Sequence, residues 1–317
     1  MAEAFIQANH LKKYFKTPRG MLHAVDDVTL SIPKGKTLGI VGESGCGKST
    51  LGRLMLNLLE PTSGEMLLDG QNIYKLRSSQ MKKMRTRAQM IFQDPYSSLN
   101  PRMSVSEIIA EPIIANDLIK NRQDIQKRVE ELMDTVGLAQ RFINAYPHEL
   151  DGGRRQRIGV ARALAVNPEF IVCDEPVSAL DVSIQAQILN LMMDLQDELG
   201  LTYVFITHDL SVVKHISDEI AVMYLGQCVE RVPSKELFQN PLHPYIKALL
   251  SAIPIPDLST RGRKRQILTG EVKSPIEPKP GCRFAARCPN ATAACAEHVC
   301  NLKEVEPNHF VSCVLYE

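Results

Sequence analysis

The stretch Gly42-Glu-Ser-Gly-Cys-Gly-Lys-Ser49, followed by Thr50, decides the fold. It matches G-x-x-x-x-G-K-[ST], the pattern of a phosphate-binding P-loop. Residues 37–41 before it are mostly apolar, as in a short buried strand, and residues 50–59 after it have a helical pattern. Because strand, loop and helix are the context that this motif requires, a glycine turn that merely caps a helix explains the stretch less well.

The residue types of the loop suit phosphate binding. Its glycines leave backbone N–H groups free to point inward, and the following helix N-terminus adds partial positive charge. Lys48 is expected at the β- and γ-phosphates, and Ser49 on Mg²⁺. The predicted nucleotide-binding residues are Gly42, Glu43, Ser44, Gly45, Cys46, Gly47, Lys48, Ser49 and Thr50. Cys46 could act as a redox switch, although a small residue that simply fits is the plainer interpretation.

Polar residues stand at the ends of three further predicted strands. Glu169-Phe-Ile-Val-Cys-Asp-Glu175 is a buried strand that ends in two acids, where ligands bind in a parallel sheet. Asp174 is expected to hold Mg²⁺ through water and Glu175 to polarise an attacking water, unless the pair is only a solvated strand exit. Gln93 ends the segment from residue 88, and His208, after residues 201–207, is expected at the γ-phosphate.

A mostly helical insertion separates the loop from the acidic strand. It spans about residues 95–165 and contains several prolines. Leu150-Asp-Gly-Gly-Arg154 opens a helix within it, and a glycine pair at a helix N-terminus is a second candidate anion site. The alternative is a plain N-cap made by Asp151.

Composition and charge narrow the class of protein. The 317 residues carry a formal net charge of +1, which gives no electrostatic case for nucleic acid. No apolar run approaches the roughly 20 residues needed to cross a bilayer, and the first residues do not form a signal peptide. We therefore expect a cytosolic chain whose eight cysteines are thiols or metal ligands rather than disulfides.

In their order and intervals these motifs resemble the ATP-binding subunit of ABC transporters, over residues 1 to about 235. Tyr14 matches the family's adenine-stacking aromatic, although an aromatic in a strand is more often part of the core. The resemblance implies these roles: Walker A (42–49), Q-loop and Mg²⁺ contact (Gln93), signature (Leu150, Asp151, Gly152, Gly153, Arg154), Walker B with catalytic glutamate (Asp174, Glu175), D-loop (Ser178, Asp181) and switch histidine (His208).

Three other segments resemble the oligopeptide/dipeptide/nickel importer branch: residues 93–102, 240–250 and 281–289. The chain looks like the F-type ATPase of that branch. This implies a second, non-identical ATPase subunit, two permease subunits and an extracytoplasmic solute-binding protein, with the chain peripheral on the cytoplasmic face of the membrane. The implied function is ATP-driven import of di- or oligopeptides, with nickel, metal chelates or glutathione-like solutes as the alternative.

Non-transport ATPases fit less well. An ABC-type translation factor carries two cassettes, and a chromosome-maintenance ATPase inserts a long coiled coil between P-loop and signature. A redox enzyme built on the cysteines would leave the nucleotide motifs unexplained.

The signature departs from the family pattern Leu-Ser-Gly-Gly-Gln. In the family this segment closes over ATP held by the partner's P-loop, and Asp151 would bring a carboxylate toward phosphate unless Arg154 or Arg155 compensates. One hypothesis is that the two composite sites of the ATPase pair are unequal. The other is that the Asp/Arg pair is a functioning variant.

The tail has the spacing C-x5-C-x6-C-x4-C-x12-C, without the C-x2-C pair of an ordinary zinc ribbon. Scattered thiolates suit an iron–sulfur cluster, and members of the resembled branch can carry [4Fe–4S] here. The matching residues are Cys282, Cys288, Cys295 and Cys313, with Cys300 extra. Zinc and free thiols are the alternatives.

The predicted fold class is α/β, an ABC-type P-loop NTPase cassette with a mixed sheet core, an antiparallel β subdomain and a helical subdomain. The nucleotide-binding domain is expected over residues 1–235. A C-terminal extension with the cysteine cluster is expected over 236–317, and the basic run 261–265 within it is expected to be a solvated linker.

Overall fold

The structure is a computed structural model, and it describes residues 4–252, 268, 270 and 274–317. The predicted basic linker at 261–265 lies outside these residues. The strands are β1 (Ala4–Thr17), β2 (Gly20–Pro33), β3 (Thr37–Val41), β4 (Ser63–Leu68), β5 (Gln71–Asn72), β6 (Ala88–Ile91), β7 (Phe170–Asp174), β8 (Thr202–Ile206), β9 (Glu219–Tyr224), β10 (Gln227–Pro233), β11 (Lys303–Glu306) and β12 (His309–Val311).

The helices connect these strands and form most of the predicted insertion. They are α1 (Lys48–Met55), α2 (Ser78–Arg87), α3 (Pro95–Ser98), α4 (Val105–Ala115), α5 (Arg122–Thr135), α6 (Gly152–Leu164), α7 (Val182–Leu199), α8 (Leu210–Ile216), α9 (Ser234–Gln239), α10 (Pro244–Ala252) and α11 (Ala294–Glu297). None of the helices within the described ranges is long and apolar enough to cross a membrane.

The larger sheet is mixed and runs β11-β12-β10-β9-β3-β8-β7-β6. Strands β6, β7, β8, β3 and β9 pair in parallel, whereas β9, β10, β12 and β11 pair antiparallel. Parallel strands all end at one edge of the sheet. The P-loop and the polar residues after β6, β7 and β8 are therefore brought to the same edge.

Alternating side chains of the central strands enter two apolar clusters, one on each face of the sheet. In β7, Phe170 and Val172 join one cluster, while Ile171 and Cys173 join the other. All residues of β3, β7 and β8 are buried. Burial on both faces explains why these strands are continuous apolar runs in the sequence.

The smaller sheet is antiparallel and runs β2-β1-β4-β5. Asp69 and Gly70 join β4 to β5 with φ angles of +52° and +73°, as expected of the hairpin turn that Asp-Gly predicts. Together with the mixed sheet and the helices of the insertion, this sheet confirms the predicted α/β cassette.

Two strands from residues 236–317, the C-terminal part of the chain, complete the mixed sheet. Strand β12 pairs with β10 through Arg231–Phe310 and Glu230–Val311, and β11 lies outside it. Glu230 is fully buried and accepts N–H bonds from Leu242 (3.1 Å) and His243 (2.6 Å). The boundary predicted at residue 235 stays a prediction, but this part of the chain shares the core with the cassette.

Candidate active site

The loop between β3 and α1 has the backbone of a phosphate cradle. Gly42 and Gly47 have φ angles of +153° and +103°, in the region that favours glycine. A Cβ at Gly42 would lie 2.2 Å from the Met223 carbonyl oxygen, and one at Gly47 would lie 2.0 Å from that of Ala24. Within the described part of the chain, no side chain caps the N-terminus of α1, and this end of the helix faces the loop as an anion site would require.

Lys48 is folded back over this loop. Its side chain is largely buried, and Nζ donates to the carbonyl oxygens of Gly42 at 2.8 Å and Glu43 at 3.1 Å. The ammonium is therefore held at the loop before any ligand arrives.

Ser49 and Asp174 meet across 125 positions of sequence, with Ser49 Oγ donating to Asp174 Oδ1 at 2.7 Å. Asp174 is only 3% exposed, and burial raises the pKa of its carboxyl group. A buried carboxylate beside a hydroxyl is an oxygen-rich pair that suits Mg²⁺, which prefers such ligands. The donor set present thus fits the predicted magnesium site.

Glu175 lies where three strand ends converge. Gln93 Nε2, two residues beyond β6, donates to Glu175 Oε2 at 2.9 Å, and His208 Nδ1, two residues beyond β8, lies 3.3 Å from the same oxygen. Glu175 itself has φ of +47°, a conformation that residues with a side chain rarely adopt and that concentrates at active sites. The structure thus brings the three predicted residues together.

A cavity of about 410 Å³ opens over the loop and reaches Glu175. Phe15 lines it, but Tyr14 does not. Tyr14 stacks on His23 at a centroid distance of 3.8 Å, and its hydroxyl donates to Asp26. Phe15 is therefore better placed than the predicted Tyr14 to contact a base bound in this cavity. The alternation of side chains along β1 was the signal that could have separated the two.

In the variant signature, Asp151 caps the N-terminus of α6 and also forms an ion pair with Arg154. Asp151 Oδ1 accepts the Arg154 N–H at 2.8 Å, and Arg154 Nη1 lies 2.6 Å from Asp151 Oδ2. Asp151 is exposed and Arg154 is partly exposed at the start of α6. The carboxylate is therefore already compensated by Arg154, whereas Arg155 is engaged by the Pro147 carbonyl.

The D-loop and the first turn of α7 lie close to the signature glycines. A Cβ at Gly153 would meet the Ile184 side chain at 2.7 Å, and one at Gly152 would meet Leu180 at 3.0 Å. Asp181 caps α7 by accepting the Ile184 N–H at 3.0 Å, and Ser178 Oγ donates to the Glu175 carbonyl at 3.1 Å. The D-loop is thus one connected turn between Glu175 and α7.

The predicted iron–sulfur cluster is wrong. Cys282, Cys288, Cys295 and Cys313 are free, and the described residues contain no group of three or more His, Cys, Asp or Glu side chains that could hold a metal ion. Burial raises the pKa of the Cys282, Cys288 and Cys313 thiols, which favours the protonated form that does not ligate metals. Cys295 Sγ is instead 3.5 Å from the Thr292 N–H nitrogen and hydroxyl.

A glycine cradle, a buried acid beside its serine and a glutamate at the next position define a P-loop ATPase of the ATP-binding cassette class. Family models agree: "ABC transporter" matches residues 25–178, and "Oligopeptide/dipeptide transporter, C-terminal region" matches residues 229–295. The chain belongs to the ABC transporter family, within the branch of oligopeptide and dipeptide transport ATP-binding proteins.

The relatives are similar over almost their whole length. The oligopeptide transport ATP-binding protein AppF of Bacillus subtilis is 51% identical, covering 99% of this chain and 98% of AppF. The dipeptide transport ATP-binding protein DppF of Haemophilus influenzae is 49% identical, covering 97% and 95%.

Solved cassettes share the fold. The dimeric post-hydrolysis structure of MJ0796 bound to ADP and Pi superposes with a TM-score of 0.67 at 30% identity, covering 72% of this chain and 98% of MJ0796. CbiO1 from Clostridium perfringens, part of the cbiONQ transporter complex, gives 0.67 at 27% identity, covering 75% and 92%. The chain is an ABC-type ATPase that binds ATP with Mg²⁺.

Proposed function

We propose that this chain is the ATP-hydrolysing subunit of a di- or oligopeptide importer, in which it powers uptake through two permease subunits. It would pair with a second, non-identical ATPase on the cytoplasmic face of the membrane, and an extracytoplasmic binding protein would deliver the peptide. The peptide assignment is supported by relatives that are named for oligopeptide and dipeptide transport and match nearly end to end.

The proposed catalytic role is supported above all by the position of Glu175. This residue follows Asp174, which accepts a hydrogen bond from the P-loop residue Ser49, and the side chains of Gln93 and His208 both reach the Glu175 carboxylate. Such a carboxylate can orient a water and accept its proton as the water oxygen attacks the γ-phosphorus and ADP leaves.

The other residues bind and orient. The N–H groups of residues 42–49 and the Lys48 ammonium would hold the β- and γ-phosphates, and Phe15 would stack on adenine. Ser49, Asp174 and Gln93 would hold Mg²⁺, which supplies charge neutralisation at the phosphates. His208 would contact the γ-phosphate. The signature of this chain would face ATP that is bound by the partner subunit. Its residues are Asp151, Gly152, Gly153 and Arg154.

The test is peptide-stimulated ATP hydrolysis by the whole assembly in lipid vesicles. With both ATPases, both permeases and the peptide-loaded binding protein, we expect hydrolysis to rise with peptide and fall to background in Lys48→Ala. If a nickel chelate stimulates hydrolysis and peptides do not, the assignment of peptides as the solute is wrong. Assemblies that form and hydrolyse ATP equally without this chain would overturn the subunit assignment.

A further inference from the structure

A side chain from the C-terminal part holds the first acid of the P-loop. Arg287 Nη1 lies 2.8 Å from Glu43 Oε2, and Arg287 Nη2 lies 3.0 Å from Glu43 Oε1, although 244 positions separate the two residues. This is the two-bonded fork of a guanidinium on a carboxylate, the strongest geometry for such a pair. Only 8% of the Arg287 side chain is exposed.

The same loop residue has a second tether from the C-terminal part. The Glu43 backbone N–H donates to Tyr245 Oη at 3.0 Å. Tyr245 packs against Tyr224 and Phe284, with ring centroids 4.7 and 5.4 Å away, and Arg287 Nη1 is 3.3 Å from Tyr224 Oη. Both tethers therefore start from one packed aromatic group.

The charge of Glu43 gives these tethers a consequence for nucleotide binding. Glu43 is the one acid in the sequence 42–49, a loop that must accept a polyanion. An unpaired carboxylate there repels phosphate, while the Arg287 fork neutralises it and fixes its direction. Lys48 Nζ donates to the Glu43 carbonyl, so displacement of Glu43 also displaces the ammonium that faces the phosphates.

We propose that Arg287 is a positioning residue for ATP binding: it acts through Glu43 to keep the P-loop neutral at its first turn and open to phosphate. The inference rests on the proposed phosphate-binding role of residues 42–49. In this proposal the C-terminal part of the chain contributes to nucleotide binding through Arg287, a residue outside all the nucleotide-binding motifs.

The experiment measures Mg·ATP affinity of the purified full-length chain by calorimetry, together with thermal unfolding without nucleotide. Arg287→Gln should weaken affinity about tenfold, the equivalent of 1.4 kcal/mol. The double variant Glu43→Gln, Arg287→Gln removes the stranded charge and should recover most of that loss. If Arg287 only stabilised the fold, removing the stranded Glu43 charge would not restore ATP affinity.

Arg283→Gln is the matched control. Arg283 also comes from the C-terminal part, is equally buried and pairs with a carboxylate of the cassette, but that carboxylate is Asp26, outside the P-loop. It should lower thermal stability while leaving affinity within about twofold. An equal loss of affinity in Arg283→Gln and Arg287→Gln, without recovery in the double variant, would overturn the proposal.

Two further variants keep the result decisive. If Arg287→Gln does not fold, Arg287→Lys keeps the charge but loses the fork, and its Mg·ATP affinity should fall below that of the wild type; an unchanged affinity would refute the inference. Lys48→Ala distinguishes the phosphate-binding role of the loop from the role of Arg287. Normal ATP binding in Lys48→Ala would refute the phosphate role itself, whereas lost binding there with wild-type binding in Arg287→Gln would refute only the role of Arg287.

Discussion

Tyr14 and Phe15 are neighbours in β1, yet Phe15 lines the cavity over the P-loop while Tyr14 stacks on His23 at 3.8 Å. Successive side chains of a strand point to opposite faces, so only one of the two can meet a base bound in that cavity. The pair therefore offers a matched test of where adenine binds.

We expect Phe15→Ala to weaken ATP binding about tenfold, because base stacking on an aromatic ring contributes about 1–3 kcal/mol. Tyr14→Ala should leave affinity within about twofold. It should instead cost about 1 kcal/mol of unfolding free energy through the lost hydrogen bond to Asp26. Titration with a fluorescent ATP analogue and denaturant unfolding measure the two effects. The reverse order of affinity losses would restore Tyr14 as the adenine contact.

Replacing the convergent carboxylate should separate binding from hydrolysis. Glu175→Gln keeps the shape of the side chain but cannot accept a proton, so single-turnover hydrolysis should fall by about 10²-fold or more while ATP binding persists. Glu169→Gln, at the other end of the same strand, is the control. Glu169 pairs with Arg87 and Lys34, so its loss should affect stability and spare hydrolysis. Normal turnover in Glu175→Gln would remove Glu175 from the catalytic role.

The signature of this chain predicts unequal composite sites in the ATPase pair. In the reconstituted pair, Glu175→Gln in this chain should cost more turnover than the equivalent change in the partner. The site that uses this chain's P-loop keeps a standard catalytic glutamate, whereas the other receives the Asp151–Arg154 pair. Turnover of each single variant is the measurement. Equal losses would favour the alternative, in which the compensated pair is a functioning variant signature.

Acid should destabilise the fold through His243. Burial lowers the pKa of this histidine to about 4, and its Nδ1 accepts the Tyr245 N–H at 3.1 Å. Unfolded chains take up the proton near pH 6.5, so below that pH the unfolded state binds more protons and stability falls. We expect the buried neutral ring to cost about 2 kcal/mol between pH 7 and pH 5.

The variant His243→Asn keeps an acceptor for the Tyr245 N–H but does not titrate there. Its unfolding free energy should change less between pH 7 and pH 5 than that of the wild type, measured by urea unfolding. His10→Asn alters an exposed histidine and serves as the control. If the two variants and the wild type lose stability in parallel, His243 is not the group responsible.

Most residues of the nucleotide site could be predicted because each stands beside a strand or helix that is recognisable in the sequence. Asp174 ends a recognisable apolar strand, Glu175 follows it, and His208 stands two residues beyond the next strand of the sheet; the parallel pairing of these strands then brings the three residues to one edge. The extent of α1 was less predictable. It was expected over 50–59 but spans Lys48–Met55, because Asn57 takes a positive φ of +51° and the chain turns away.

Long-range partners were not predictable from pattern. Nothing in the sequence near Glu43 indicates a guanidinium 244 positions away, and nothing near Glu230 indicates His309. The cysteine spacing was misleading for the same reason. Spacing constrains which thiols can approach each other, but burial and the surrounding hydrogen bonds determine whether they are available to a metal.

The pairing of β12 with β10, together with the contact between Arg287 and the loop at Glu43, has a consequence for biosynthesis. A ribosome makes the phosphate loop first and adds Arg287, which braces it, 244 positions later. The nascent polypeptide would thus carry the phosphate loop without its support, and full nucleotide binding would arise only after Arg287 and β12 have been made and have folded onto the cassette.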